Sequence, residues 1–480
     1  MLYAVLKPVV GIALHWYYRA VTIADIARIP LNGPVFLAAN HPNSLTDAMV
    51  VGWASPRRVR FTAKATLFRN PLAARMLQTL GVVPLRRAAD EQRAEPEPHG
   101  GAEITPPAAA IPDAARNAAS FSAVADALAE HACIVVFPEG KTHDEPYMAP
   151  LRTGLARMAL MARDERQIRN VRIVPIGLLF EEKAAPRSRI LLQVGEPIDV
   201  DTLSGHTATA AGLTELIDLR LRAVTLNFES RADAARIQLL GTTLAALLEP
   251  TTSITDGAPP LARTLGLVRR IARAQHALRA QQSPALDARI VHFEDRLRAL
   301  HERLTALRID VHDVGIDRSA ALGARFVVRE IAVAAVLVPV SLWGRLTHVV
   351  PLRLARYLAL RNVRALDEPP MRTFMIGVVL VLGAYAILTV LVGAAFGPWW
   401  ALLFLATLVP SASSDLRYGD RVQRVIARAR AYRMFVATPS LQASLLADAD
   451  WLRAEAGALE LLATARQHLP DPSTIPRVEG

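Results

Sequence analysis

From residue 35 to about residue 200, short apolar runs alternate with stretches whose apolar positions recur at helical spacing, the pattern of an α/β domain. The runs at 35–40, 58–64, 81–87, 133–140, 171–180 and 189–198 are rich in Val, Ile, Leu and Phe and predict strands. The periodic stretches at 47–53, 71–80, 121–130 and 153–162 predict helices. Beyond Val200 the strand signals stop, and 213–248 and 285–309 carry Leu, Ala, Arg and Glu at helical spacing, so 201–325 reads as a helical extension.

A different pattern follows at 374–414, which contains no charged residue at all. Gly397 and Pro398 break it into an arm long enough to cross a hydrocarbon layer of about 30 Å and a shorter one, giving a membrane helical hairpin, spanning or re-entrant. The run at 331–344 is too short to span alone and is followed by Arg345, so it predicts an interfacial or re-entrant helix within a membrane-associated region 326–415. Residues 416–480 read as a helical tail. At the other end, 1–30 reads as an amphipathic membrane-associated segment in which Trp16, Tyr17, Tyr18 and Arg19 form an interfacial cluster; a helix packed on its own domain is the alternative. Ala, Pro, Glu and Gly dominate 88–119, which cannot bury enough apolar surface to order itself and predicts a flexible insertion. The fold class is therefore α/β, a mixed, largely parallel sheet flanked by helices, followed by an all-α extension and a C-terminal membrane hairpin.

Composition sharpens this picture in two places. The 480 residues carry a formal charge of +11, which suits nucleic acid, an anionic bilayer or phosphate-bearing substrates alike. Arginines cluster outside both ends of the charge-free stretch (Arg361, Arg364 and Arg372 before it, Arg417, Arg421 and Arg424 after it), whereas its Gly-Pro-Trp-Trp bend has none. By the positive-inside rule both ends face the cytoplasm, and anionic lipid headgroups are a simpler partner than nucleic acid for the basic helices. The single Cys133 lies in a buried-strand pattern, which leaves no disulfide framework and no cysteine metal site.

The chemistry-bearing residues stand where strands end. "NHPNSLTD" follows the run at 35–40 and places His41 and Asp47 on one loop. By themselves they fit equally a polar strand-to-helix turn capped by Ser44 or Thr46. "FPEGKTHDEP" ends the strand at 133–140, and "GVVPLRR" ends the one at 81–87. In an α/β sheet, ligands collect outside the carboxyl ends of the strands, so these three loops can converge on one site. His143, Asp144 and Glu145 are adjacent, their side chains diverge, and no second cluster completes a metal shell; no metal site is expected.

These blocks resemble the glycerolipid acyltransferases, which include glycerol-3-phosphate and 1-acylglycerol-3-phosphate acyltransferases. The family's Asn-His block reaches an Asp after four residues, and here five intervene; Gly81, Pro84 and Arg87 match the second block, Phe137 to Gly140 the third, and "VPIGL" at Val174 to Leu178 the fourth. The likeness covers roughly 35–200. "NHPNSLTDA", "FPEGKTHDEP" and "LRTGLARMAL" further resemble the branch acting on glycerol 3-phosphate or dihydroxyacetone phosphate.

What the resemblance implies is a transfer of a fatty acyl group from acyl-CoA or acyl carrier protein to glycerol phosphate or a lysophospholipid, at the cytoplasmic membrane, with no cofactor. His41 is the implied general base and Asp47 its orienting carboxylate. Arg87 is the implied phosphate ligand, with Arg86 as rival, and Glu139 and Gly140 the implied acceptor-binding pair, to which Lys141 and Thr142 add donors. Two rival readings stay open: an idle lipid-binding or scaffold protein of the same fold, and a lipid or thioester hydrolase in which His41 activates water.

Overall fold

A computed structural model describes residues 2–64, 68, 71–85, 113–142, 145–183, 185–248, 266–268, 270–271, 283–361 and 368–465. The chain divides into two compact units, one of residues 1–227 with 356–378, the other of 228–355 with 379–480.

The first unit is built on short, largely apolar strands whose central members are buried on both faces. The parallel core comprises β2 (Val35–Ala39), β3 (Val59–Lys64), β4 (Val83–Leu85), β5 (Cys133–Val136) and β6 (Arg172–Phe180). With β1 (Ala20–Ala24) and β7 (Arg189–Val194), they run in the order β1-β7-β6-β2-β5-β3-β4, and the short β8 (Ile198–Asp199) pairs with β6. Neighbours from β6 across to β4 are parallel, and β7 runs antiparallel to β6. All five residues of β2 are buried and so are all four of β5, as expected of a sheet covered on both faces.

One face is covered by α4 (Asp113–Ala129), α5 (Gly154–Asp164) and α6 (Ala210–Arg222), whose Val124, Leu128, Leu155, Ala159, Leu213 and Leu221 share a core with Phe36 and Ile134. The other is covered by α1 (Leu2–Tyr17) and α2 (Leu45–Ala54), with Leu14, Tyr18, Val50 and Phe374 packed on Leu37 and Val135. Between Lys64 and β4 runs α3 (Pro71–Leu80).

Four features depart from the expectations above. The segment 1–30 contributes an edge strand, and α1 packs on α2, the alternative given above, where Tyr3 Oη donates to Gly52 O at 3.1 Å and Lys7 Nζ to Ser55 O at 2.6 Å. Of the supposed insertion, 88–112 lies outside the described residues, while 113–119 opens α4. The first unit continues past Val200 through α6 to Asn227. The run at 331–344 is not a short element: it sits within α9 (Ala320–Leu360), where the charges that seemed to bound it are paired. Glu330 receives Arg421 at 2.8 Å and Arg329 at 2.6 Å, and Arg345 reaches Asp415 at 3.0 Å.

The second unit packs α7 (Arg231–Leu248), α8 (Pro284–Leu307) and α12 (Pro439–Ala465) around Leu244, Leu297, Phe435, Leu445 and Leu452. The charge-free stretch breaks where the Gly-Pro pair predicts. Helix α10 (Glu368–Phe396) ends before Gly397, whose φ of 96° no helix accommodates, and α11 (Pro398–Ala437) begins with Pro398. Helix α9 and residues 372–396 of α10 are long and apolar enough to cross a membrane, and only 6% and 11% of their most apolar windows is buried. Such exposed apolar surface is of the kind that a membrane-associated chain presents.

Candidate active site

The site begins where β2 stops. Asn40 continues the sheet with its side chain: its Oδ1 accepts from Leu178 N at 2.7 Å and its Nδ2 donates to Leu178 O at 3.0 Å, imitating one more rung of the β2–β6 ladder. His41 is therefore the first residue past the sheet's carboxyl edge. The chain then turns through Ser44, held at φ 51°, an uncommon backbone angle for a residue with a Cβ, and enters α2. No side-chain oxygen of Ser44 caps the helix.

Asp47 lies in the first turn of α2, where a carboxylate suits the helix dipole, and is completely buried. Its Oδ2 accepts from the Asn43 backbone N–H at 2.7 Å and stands 2.9 Å from His41 Nδ1. An oxygen already accepting one N–H accepts the second as well, so Nδ1 carries the ring proton and the lone pair lies on Nε2. Among the described residues nothing donates a hydrogen bond to Nε2, and the His41 side chain remains 20% exposed. Phe137 stacks on the imidazole with centroids 4.0 Å apart and planes inclined by 16°, fixing the ring plane.

Burial pushes the Asp47 carboxyl above its ordinary range, while the His41 hydrogen bond and the Asn43 N–H pull it back. Among the described residues, Asp47 Oδ1 and Asn43 Oδ1 are buried without a hydrogen-bonding partner. Such groups cost stability, on the order of 1–3 kcal/mol each, and their concentration here is what a functional site tolerates. Asn43 is held in turn by Nδ2 contacts to Lys183 O at 3.2 Å and Tyr18 Oη at 3.4 Å. Burial keeps the Tyr18 phenol firmly protonated.

The neighbouring strand supplies the second wall. Since β5 runs parallel beside β2, its carboxyl-end turn Phe137 to Gly140 emerges next to His41. Gly140, at φ 75°, donates its N–H to Phe137 O at 3.1 Å, and Arg152 N donates to Pro138 O at 2.8 Å. Glu139, only 3% exposed, accepts from His41 N and from Ala149 N, each at 2.8 Å. Lys141 follows exposed, and Thr142 half-buried, on the loop leading away.

The structure thus brings His41, Asp47, Glu139 and Gly140 together and sets Lys141 and Thr142 on the adjoining loop. Arg87 and Arg86 lie outside the described residues, as do His143 and Asp144. Strand β4 stops two positions short of residue 87 and is separated from β2 by β5 and β3, about 14 Å at ordinary strand spacing. Sequence reasoning missed Asn40, Asn43, Tyr18 and Ala149. Only Asn40 left a signal, a polar amide closing an all-apolar strand.

Residues 20–179 match the family model described as Acyltransferase. The chain is 41% identical over 90 residues to glycerol-3-phosphate O-acyltransferase 2 of Saccharomyces cerevisiae, covering 19% of this chain and 12% of that protein. It is 39% identical over 80 residues to glycerol-3-phosphate O-acyltransferase 1 of the same yeast, covering 17% and 10%. The match therefore spans about a tenth of the length of these relatives. Among solved structures, the 1-acyl-sn-glycerophosphate acyltransferase PlsC of Thermotoga maritima is similar at 17% identity and a TM-score of 0.34, over 46% of this chain and 78% of that one.

Proposed function

Residues 20–179 belong to the acyltransferase family, and on that premise we propose that the chain is a membrane-bound O-acyltransferase of phospholipid synthesis. It moves a fatty acyl group from acyl-CoA or acyl carrier protein to the hydroxyl of glycerol 3-phosphate or 1-acylglycerol 3-phosphate. The observation that carries this reading is the oriented imidazole: Nδ1 tied to buried Asp47 and Nε2 available at the sheet's carboxyl edge, beside the Phe137 to Gly140 turn.

A glycerol hydroxyl is a poor nucleophile near neutral pH. In the proposed reaction Nε2 of His41 takes its proton as the oxygen attacks the thioester carbonyl, a contribution of about a hundred- to ten-thousandfold. The new C–O bond forms, the C–S bond breaks, and the proton passes from the imidazolium to the departing thiolate. Asp47 stabilises the transient imidazolium and fixes its tautomer, so no acyl-enzyme is needed. The acceptor phosphate falls to Arg87, whose guanidinium fork matches two phosphate oxygens, with the turn at Gly140 letting the chain approach closely and Lys141 and Thr142 offering ammonium and hydroxyl donors.

The catalytic unit faces the cytoplasm at the inner membrane. Residues 356–378, which include Arg361 and Arg372, belong to the same compact unit as 1–227, so the arginine-rich, inside-favouring flank travels with the catalytic domain. Anionic headgroups are the partners of these arginines.

The test is an assay of washed membranes carrying the full chain, with labelled acyl-CoA or acyl carrier protein and a panel of acceptors. Label appearing in glycerol-phosphate lipid supports the reading. Free fatty acid released without an acceptor, or no turnover of either donor, contradicts it.

A further inference from the structure

The ladder between β2 and β5 ends at the pair Ala38 and Val136. Beyond it no strand bonding holds the His41 loop to the Phe137 to Gly140 turn, yet the proposed chemistry needs the imidazole at one distance from the acceptor hydroxyl. Among the described residues, the hydrogen bond that bridges this gap comes from a carboxylate side chain, beside the Phe137 stacking. The two oxygens of Glu139 divide between two segments: Oε1 accepts from the His41 backbone N–H and Oε2 from the Ala149 N–H ahead of α5, each at 2.8 Å. Hydrogen bonds to an ionised acceptor are roughly twice as strong as neutral ones, and this carboxylate is almost wholly out of water.

We propose that Glu139 is a positioning residue for acyl transfer, a clamp that fixes the His41 backbone against the loop at Ala149. The proposal rests on the reading of His41 as base and gives Glu139 a role distinct from the acceptor-binding one that the family likeness implies. Three constraints then fix the imidazole, two from the Phe137 to Gly140 turn and one from α2. Glu139 anchors its Cα through the backbone N–H, Asp47 sets its rotation through Nδ1, and Phe137 sets its plane. Loss of the first lets the ring drift while the acceptor's own ligands stay in place. A misplacement of about 1 Å costs on the order of a hundredfold in rate.

The two roles separate kinetically, because a lost ligand raises the acceptor KM whereas a lost positioning contact lowers kcat alone. In Glu139→Gln the amide keeps one acceptor oxygen and turns an NH2 towards the other N–H. With full-length protein in washed membranes, kcat should fall about a hundredfold with the acceptor KM within about twofold of wild type. Ala149→Pro removes the second donor and leaves the Glu139 side chain chemically unaltered, its ring displacing Oε2 from the residue-149 nitrogen it now contacts. It should lower kcat about tenfold, again at constant KM, and decides the matter alone if the Gln variant does not accumulate. Deuterium uptake over residues 40–44 should rise in both variants.

An acceptor KM raised tenfold or more at wild-type kcat in Glu139→Gln would overturn the clamp, as would full kcat in Ala149→Pro or unchanged deuterium uptake at 40–44. A wild-type protein inert towards every acceptor would instead overturn the acyltransferase reading, and the deuterium measurement still reports on the clamp.

Discussion

Nδ1 of His41 stands 2.9 Å from Oδ2 of Asp47 although five residues intervene, one more than in the family block they resemble. The turn passes through Ser44 at φ 51° and ψ −130°, a sparsely populated backbone conformation that costs on the order of 1–3 kcal/mol. The carboxylate nonetheless reaches the imidazole nitrogen it would have to orient. At this spacing the loop still lets the two side chains pair.

Asp47 is expected to trade stability for activity. Burial raises its carboxyl pKa, so the folded state binds the proton more tightly than the unfolded chain. Its contribution to stability is greatest when protonated and declines as pH rises through the folded pKa. Asp47→Asn removes the buried charge and turns an NH2 towards the turn that carries the unpartnered Asn43 Oδ1. The variant should melt no lower than wild type at pH 8, with the difference shrinking in acid, while acyl transfer falls by about ten-thousandfold. Melting at several pH values alongside the acyl-transfer assay checks both halves.

Gly177, in the middle of the fourth motif, has a steric rather than a chemical reason. A Cβ there would collide with the carbonyl oxygen and carbon of Val224, just past α6, and backbone cannot step aside as a flexible side chain can. Gly177→Ala should destabilise the first unit by about 1–3 kcal/mol, read as a lower melting temperature, with residual activity at low temperature retaining a wild-type acceptor KM.

Asp313 reports on the second unit. Burial lifts its carboxyl to about 6 despite Arg428, whose Nη1 lies 3.9 Å away. Since the folded pKa exceeds the unfolded one, this group stabilises the fold most when protonated and loses that contribution as pH rises through about 6. Asp313→Asn should therefore melt higher than wild type above pH 6, and the gap should close as pH falls towards the ordinary carboxylate range. Parallel melting curves from pH 4.5 to 8 decide it.

Much of the catalytic fold was legible because the strands are nearly pure apolar runs ending in recognisable turns, as at Val35–Ala39 and Cys133–Val136. Strand β1 was not: "AVTIA" is short, half-buried and sits beside aromatic residues that read as a membrane anchor. His41, Asp47 and Glu139 could be named from their motifs, but the bond from His41 N to Glu139 spans 98 residues and involves a backbone group that no motif displays. Asn40 and Leu178, 138 residues apart, were hidden for the same reason. Residues 331–344 read as a short helix because the apolar run is brief and Arg345 follows it; Arg345 pairs with Asp415 and Glu330 with Arg421, both in α11, so pairing across helices removes the penalty that single-segment hydropathy assigns.

The most direct test is the rate of acyl transfer to glycerol 3-phosphate and to 1-acylglycerol 3-phosphate by washed membranes carrying wild type or His41→Ala. The expected result is labelled glycerolipid from wild type, a loss of at least about a hundredfold in the variant, and equal amounts of both proteins retained in the membrane pellet. Undiminished transfer by His41→Ala would contradict the assignment of its Nε2 as the group that takes the proton.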